Sequence, residues 1–335
     1  MRAFVIAACL WCAANARADG IVLRMAAIAP EGTAWARELH AFSREVASRT
    51  NGAVRLKWYL GGIAGDELTA LDRVRRGQLD GLAGALVCER LAPSLWVTRV
   101  VGLVRDRQEA HLVLNRLRSM VDREMEQNGF VDLGMGSFGS EILFTRTPVH
   151  SMDDLRRLQL WTWDLDDFFV RELPAVGVGV VPLPIENAGQ AYDQGKIDGF
   201  FGVPTAALAY QWSSRATYFS DLSTAFLPGC VVLARRAFDP LLMDQQAIVR
   251  DAGAKFAVRF NAVGESQDDA LLHGLFEHQG LVRVPVSPQL RSGFYEAARR
   301  AREQLVSRLL DEKHIQPKLL SDVLGWLAQK RSPPP

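Results

Sequence analysis

The sequence predicts an α/β protein with two lobes built on the same strand, helix, strand plan, and three observations carry that prediction. Helical and extended hydrophobic patterns alternate along the chain. An eight-residue segment recurs in the second half in the same local context. The chain has 335 residues, 48% hydrophobic and 23% charged, which is enough for two cores.

The elements follow in order. Ile21 to Ala27 is apolar and strand-like, and Thr33 to Thr50 places Trp35, Leu39, Phe42 and Val46 on one helical face. Asn51-Gly52 stops that helix, since both residues accept a left-handed backbone. Val54 to Tyr59 alternates as a strand, Gly61-Gly62 turns, and Asp66 to Arg76 reads as a second amphipathic helix. Gly77-Gln78-Leu79-Asp80-Gly81-Leu82-Ala83-Gly84 comes next, and Gly195-Lys196-Ile197-Asp198-Gly199-Phe200-Phe201-Gly202 matches it at four identical positions. In each copy a glycine closes a helix and an apolar strand begins, with a strand and loop ahead of the helix (54 to 65 and 178 to 184). Later, 229 to 234 reads as a strand, 239 to 279 as a long helix or helix pair, and 282 to 286 as a strand. Helices over 288 to 310 and 318 to 328 follow, and the proline-rich tail 332–335 is expected to be disordered.

The N-terminus reads as an export signal over residues 1–18: Arg2, an apolar run from Ala3 to Ala14, then Ala16-Arg17-Ala18 as a small-x-small cleavage pattern. The competing reading is a short buried helix. Ile6-Ala7-Ala8-Cys9 resembles a lipoprotein box but has too little apolar sequence ahead of it. No later stretch reaches the roughly 18 uninterrupted apolar residues of a membrane span. Removing the signal leaves 37 basic against 38 acidic residues, so nothing favours nucleic acid or an acidic membrane. Cys88 and Cys230 remain in the mature chain, as one disulfide or as two separate buried thiols.

Taken together, a set of ordered blocks resembles the extracytoplasmic solute receptors of TRAP transporters, of the dicarboxylate receptor type, over nearly all of residues 22 to 330. The blocks are Leu23-Arg24-Met25-Ala26, Asn51-Gly52 before 54 to 59, Gly65-Asp66-Glu67, Arg76 to Asp80, Pro148-Val149 with Ser151 to Leu158, and Gly195 to Gly199. The resemblance implies a periplasmic binding protein-like fold: two α/β lobes, an interlobe cleft, and a chain that crosses the hinge more than once. Residues 19–140 with 229–285 would form the first lobe, and 141–228 with 286–331 the second lobe and C-terminal helices. It implies capture of a small molecule in the periplasm and delivery to a TRAP membrane permease, with a helical-repeat lipoprotein as a possible accessory partner.

In most such receptors an arginine at the end of the strand after the Asp-Asp-Leu block pairs with the ligand carboxylate, because a guanidinium fork matches two carboxylate oxygens. Here the strand is Leu158-Gln159-Leu160-Trp161-Thr162-Trp163-Asp164, and Trp161 stands in the arginine's place. An upstream basic position is filled by Glu141. A carboxylate buried against Glu141 and Trp161 without a paired cation would cost several kcal/mol. The expected ligand is therefore neutral, apolar or cationic, resting on Trp161, Trp163 and Phe201. The alternative is that the tryptophans are core residues and a different arginine anchors the guest. Other cleft positions implied by the resemblance are Ile28, Asp66, Gly84, Ala85, Cys88, Asp164, Ile185 and Gly202, with Trp35 and Trp212 as further aromatic candidates.

Other chemistry finds little support. Gly134-Met135-Gly136-Ser137-Phe138-Gly139 satisfies GxGxxG but is followed by an extended segment, whereas a dinucleotide site needs a helix there. The six histidines show no metal-ligand spacing, no GxSxG elbow is present, and the mature chain has no CxxC. No cofactor, metal, catalytic residue or nucleic-acid partner is expected. The competing functions are a periplasmic ligand sensor that signals to a partner protein, and an enzyme on a binding-protein scaffold.

Overall fold

The computed structural model describes residues 20–311 and 317–331. The expected export signal, residues 1–18, and the tail 332–335 lie outside the described residues. Among the described residues, eleven strands form two sheets: β1 (Ile21–Ala27), β2 (Val54–Tyr59), β3 (Gly81–Gly84), β4 (Phe130–Ser140), β5 (Ile142–Thr145), β6 (Gln159–Trp163), β7 (Gly179–Leu183), β8 (Gly199–Gly202), β9 (Tyr218–Ser220), β10 (Phe226–Ala234) and β11 (Val282–Arg283). The first sheet has the order β2-β1-β3-β10-β4 and the second β11-β9-β5-β8-β6-β7.

The sheets share one plan. In the first, β1, β2 and β3 run parallel, linked by the helices Ala34–Arg49 and Glu67–Arg75, and β10 joins antiparallel beside β3. In the second, β6, β7 and β8 run parallel, linked by Asp167–Val176 and Ile185–Asp193, and β5 joins antiparallel beside β8. The recurring segment closes each unit with matching bonds. The Asp80 amide donates to the Arg24 carbonyl at 2.8 Å and the Arg24 amide to the Asp80 carboxylate at 2.8 Å; Asp198 and Gln159 repeat both bonds at 2.8 Å. Gly77 and Gly195 hold φ of +76° and +68°, the left-handed turn that favours glycine. A Cβ on Gly81 would lie 2.3 Å from the Val232 carbonyl oxygen, and one on Gly199 would lie 2.2 Å from that of Phe144. Two glycines are therefore needed where the antiparallel strand crosses close to the third parallel strand.

Each lobe borrows that antiparallel strand from the other half of the chain, which makes the hinge. β4 runs out of the first sheet into β5 of the second, and β9 of the second leads back to β10 of the first. At the crossing the Glu141 amide donates to the Ala225 carbonyl at 3.0 Å and the Thr224 amide to the Glu141 carbonyl at 3.0 Å. An apolar spine from Val97 and Leu103 to Leu160 and Phe168 packs behind the crossing.

The GxGxxG segment lies inside β4 and opens no helix, in line with the extended reading. Its glycines fit against the helix Met243–Ala270, where a Cβ on Gly134 would sit 2.6 Å from the Gly253 carbonyl oxygen. The segment 271 to 283 belongs with the second lobe rather than the first: Leu271, Phe276 and Leu281 pack with Phe144 and Phe219, and β11 pairs with β9. That 28-residue helix spans about 42 Å, enough to carry the chain across a third time. The last helix, Pro317–Arg331, packs on the first lobe's helix Arg107–Gln127, where the Arg331 guanidinium donates to the Glu109 carboxylate at 2.7 Å. Cys88 and Cys230 form a disulfide that ties the helix Leu86–Leu91 to β10. Among the described residues no helix is long and apolar enough to cross a membrane.

Candidate functional site

In parallel α/β sheets the carboxyl ends of the strands leave the crevice in which ligands bind. Here the carboxyl ends of β1 and β3 face those of β6 and β8 across a cavity of about 160 Å³. Ile28, Gly84 and Ala85 line it from the first lobe, Trp161, Trp163, Ile185, Phe201 and Gly202 from the second, and Glu141 from the hinge. Three expected positions do not reach the wall. Asp66 caps the helix Glu67–Arg75 and spends its carboxylate on the Thr69 amide and hydroxyl. Cys88 is fully buried in its disulfide, although Cys230 does border the cavity. Asp164 is exposed in the turn after β6, and Asp166, two residues on, is the acid that turns inward.

The aromatic wall is continuous. The Trp161 indole N–H donates to the Leu183 carbonyl at 2.9 Å, which fixes the ring while leaving it on the cavity. Trp212 packs edge-on to Trp161 at 4.8 Å, and Tyr210 stacks on Trp212 at 5.0 Å. Across the cleft, Trp35 meets Phe138 edge-on at 5.1 Å. The tryptophan in the arginine's place is thus both a core residue and a cavity wall.

The polar groups form a compact cluster that sequence reading missed. Arg99 lies in the turn Pro93–Arg99, is 1% exposed and borders the cavity. Its guanidinium pairs with Asp166, stands 3.5 Å from Glu141 and 3.7 Å from Glu89, and lies over the Phe169 ring at 4.4 Å. The sequence expectation found no cation beside Glu141, and Arg99 corrects it. The signal was legible as a lone arginine inside the apolar run Leu95 to Val104. Burial pushes the Glu141 carboxyl up to about 7 against the pull of Arg99, and Glu89 up to about 8. Glu67 also borders the cavity, accepts from the Ala85 and Val87 amides at 3.1 and 2.9 Å, and is pushed up by burial to about 7. Among the described residues lining the cavity, Arg99 is the one cation, against Glu67, Glu141 and Asp166.

This architecture, two lobes of like topology around one enclosed cleft, defines the class of periplasmic solute-binding proteins. The chain belongs to the DctP family, bacterial extracellular solute-binding protein family 7, whose model matches residues 25–308. A solute-binding protein of Chromohalobacter salexigens is 24% identical over 240 residues, covering 68% of this chain and 69% of the relative. Among solved structures, a Bordetella pertussis extracytoplasmic solute receptor binding pyroglutamic acid superposes with a TM-score of 0.81 at 18% identity, covering 91% of this chain and 100% of that one. A TRAP periplasmic solute-binding protein from Haemophilus influenzae with bound L-gulonate gives 0.82 at 16% identity, covering 92% and 99%. The protein is a solute-binding receptor of the TRAP transporter family, a periplasmic family of receptors rather than enzymes, whose members take a small-molecule ligand and a TRAP permease as partner.

Proposed function

We propose that this receptor, exported through its N-terminal segment 1–18, closes its lobes on a small neutral or cationic solute and delivers it to a TRAP-type permease, with a helical-repeat lipoprotein as a further partner. Relatives bind pyroglutamic acid and L-gulonate; this cleft departs from carboxylate recognition. The observation that carries the reading is the state of Arg99: its edges already face Glu89, Glu141 and Asp166, and one face is covered by Phe169. A guest carboxylate would have to share a guanidinium already ringed by three acidic side chains and would be buried beside them, at a cost of several kcal/mol. Trp161, Trp163, Phe201 and Ile185 instead offer apolar surface to an uncharged or cationic body. Contacts from both lobes favour the closed form.

Native mass spectrometry of freshly purified mature protein tests the assignment. A co-purifying neutral or cationic compound is expected. A simple carboxylate, bound more tightly by Trp161→Arg than by the wild type, overturns the ligand class.

A further inference from the structure

We infer that the guest carries a protonated amine, which sits at Glu141 while its organic body lies against the wall of Trp161, Trp212 and Tyr210. This deepens the reading above and rests on it. Glu141 is 7% exposed and borders the cavity, and its Oε2 lies buried on the Arg99 side without a hydrogen bond. A buried carboxylate oxygen in that state calls for a donor. The neighbouring guanidinium does not supply one, since it stands 3.5 Å away and is shared among three carboxylates. Glu89, behind it, also has both carboxylate oxygens without hydrogen bonds. Three carboxylate oxygens thus lack a partner here against one unpartnered donor, Arg99 Nε, which leaves an excess of acceptors at this end of the cavity.

An ammonium group answers that shortage, because it donates three hydrogen bonds and accepts none. The hinge fixes the position of the acceptor: the Glu141 backbone bonds to Thr224 and Ala225 hold the carboxylate where the two lobes meet. The aromatic wall completes the match, since indole and phenol faces attract a cation and pack on an apolar body. A neutral alcohol could donate one hydrogen bond and would leave the remaining acceptors unpaired.

Isothermal titration calorimetry on ligand-stripped mature protein, with three probes of one shape, tests this: 2-phenylethylamine, 2-phenylethanol and phenylacetate. The amine is expected to bind at least about tenfold more tightly than the alcohol, and phenylacetate to give no measurable heat. Glu141→Gln should lower amine affinity about tenfold or more and leave the alcohol within about twofold. If that variant fails to fold, the wild-type ranking of amine over alcohol still decides. Alcohol binding that equals amine binding, or absence of amine binding, overturns the ammonium site and leaves the wider ligand class standing. Phenylacetate binding best of the three overturns both.

Discussion

The two lobes are built alike and furnished differently, and the contrast separates residues that hold the fold from residues that choose a guest. At matched positions after the second strand of each unit, helix Glu67–Arg75 opens on Glu67 and helix Ile185–Asp193 on Ile185. Both side chains line the cavity. Glu67 reaches across to the Ala85 and Val87 amides and occupies the space beside Gly84, where a Cβ would lie 2.3 Å from its carboxylate. Ile185 makes no such bridge and leaves an apolar wall. The turn glycines and the aspartates of the recurring segment are kept in both lobes because the strand crossing demands them, whereas the cleft positions are free to differ.

The largest expected asymmetry is covalent. The Cys88–Cys230 disulfide, whose ends lie 142 positions apart, pins the returning strand β10 into the first lobe, and among the described residues no disulfide pins β5 into the second. Replacing both cysteines by serine should cost about 4 kcal/mol. Hydrogen exchange should show the loss concentrated in β3, β10 and the helix Leu86–Leu91; an equal loss in β5 and β8 would break the comparison. A smaller difference is expected at the matched aspartates. Asp80 is 6% exposed and pairs with the Arg24 and Arg236 guanidinia at 2.9 and 3.3 Å, while Asp198 binds the Gln159 amide in a more open setting. In urea unfolding, Asp80→Ala should lose about 2 kcal/mol and Asp198→Ala about 1 kcal/mol. Equal losses would mean that the ion pairs add nothing beyond the shared backbone bond.

The smallest effect is a dependence on pH. Burial raises Glu67 and Glu141 to about 7 and Glu89 and Glu172 to about 8. A carboxyl raised in the folded state gives stability that is complete below its unfolded range and is lost as pH climbs through the folded value. The thermal midpoint should therefore fall by at least about 3 °C between pH 6 and pH 9. Glu67→Gln should flatten the decline, and Ile185→Val in the matched position should not. A midpoint that rises over this interval would contradict the assignment.

Much of the scaffold was legible because its signals are local. β1 and β2 fall where alternation and apolar runs put them, and the helix start at Thr33 and stop at Asn51-Gly52 come from side chains within a turn of the backbone they satisfy. The cleft was legible in part. Trp161, Trp163, Phe201 and Glu141 border the cavity, as expected from ordered blocks, but Asp66, Cys88 and Asp164 are spent on a cap, a disulfide and an exposed turn. Arg99 escaped notice because two of its three acidic partners, Glu141 and Asp166, lie far off along the chain, with Asp166 67 positions away.

The sequence alone determined the repeated strand, helix, strand unit and the membership of the solute-receptor family, since both rest on short-range patterns and their order. The tertiary structure decided which half lends each lobe its antiparallel strand, how Cys88 meets Cys230, and that a buried arginine is surrounded by acids in the cleft. Those outcomes depend on contacts between distant segments, whose energy comes from burial and charge pairing that no local pattern records.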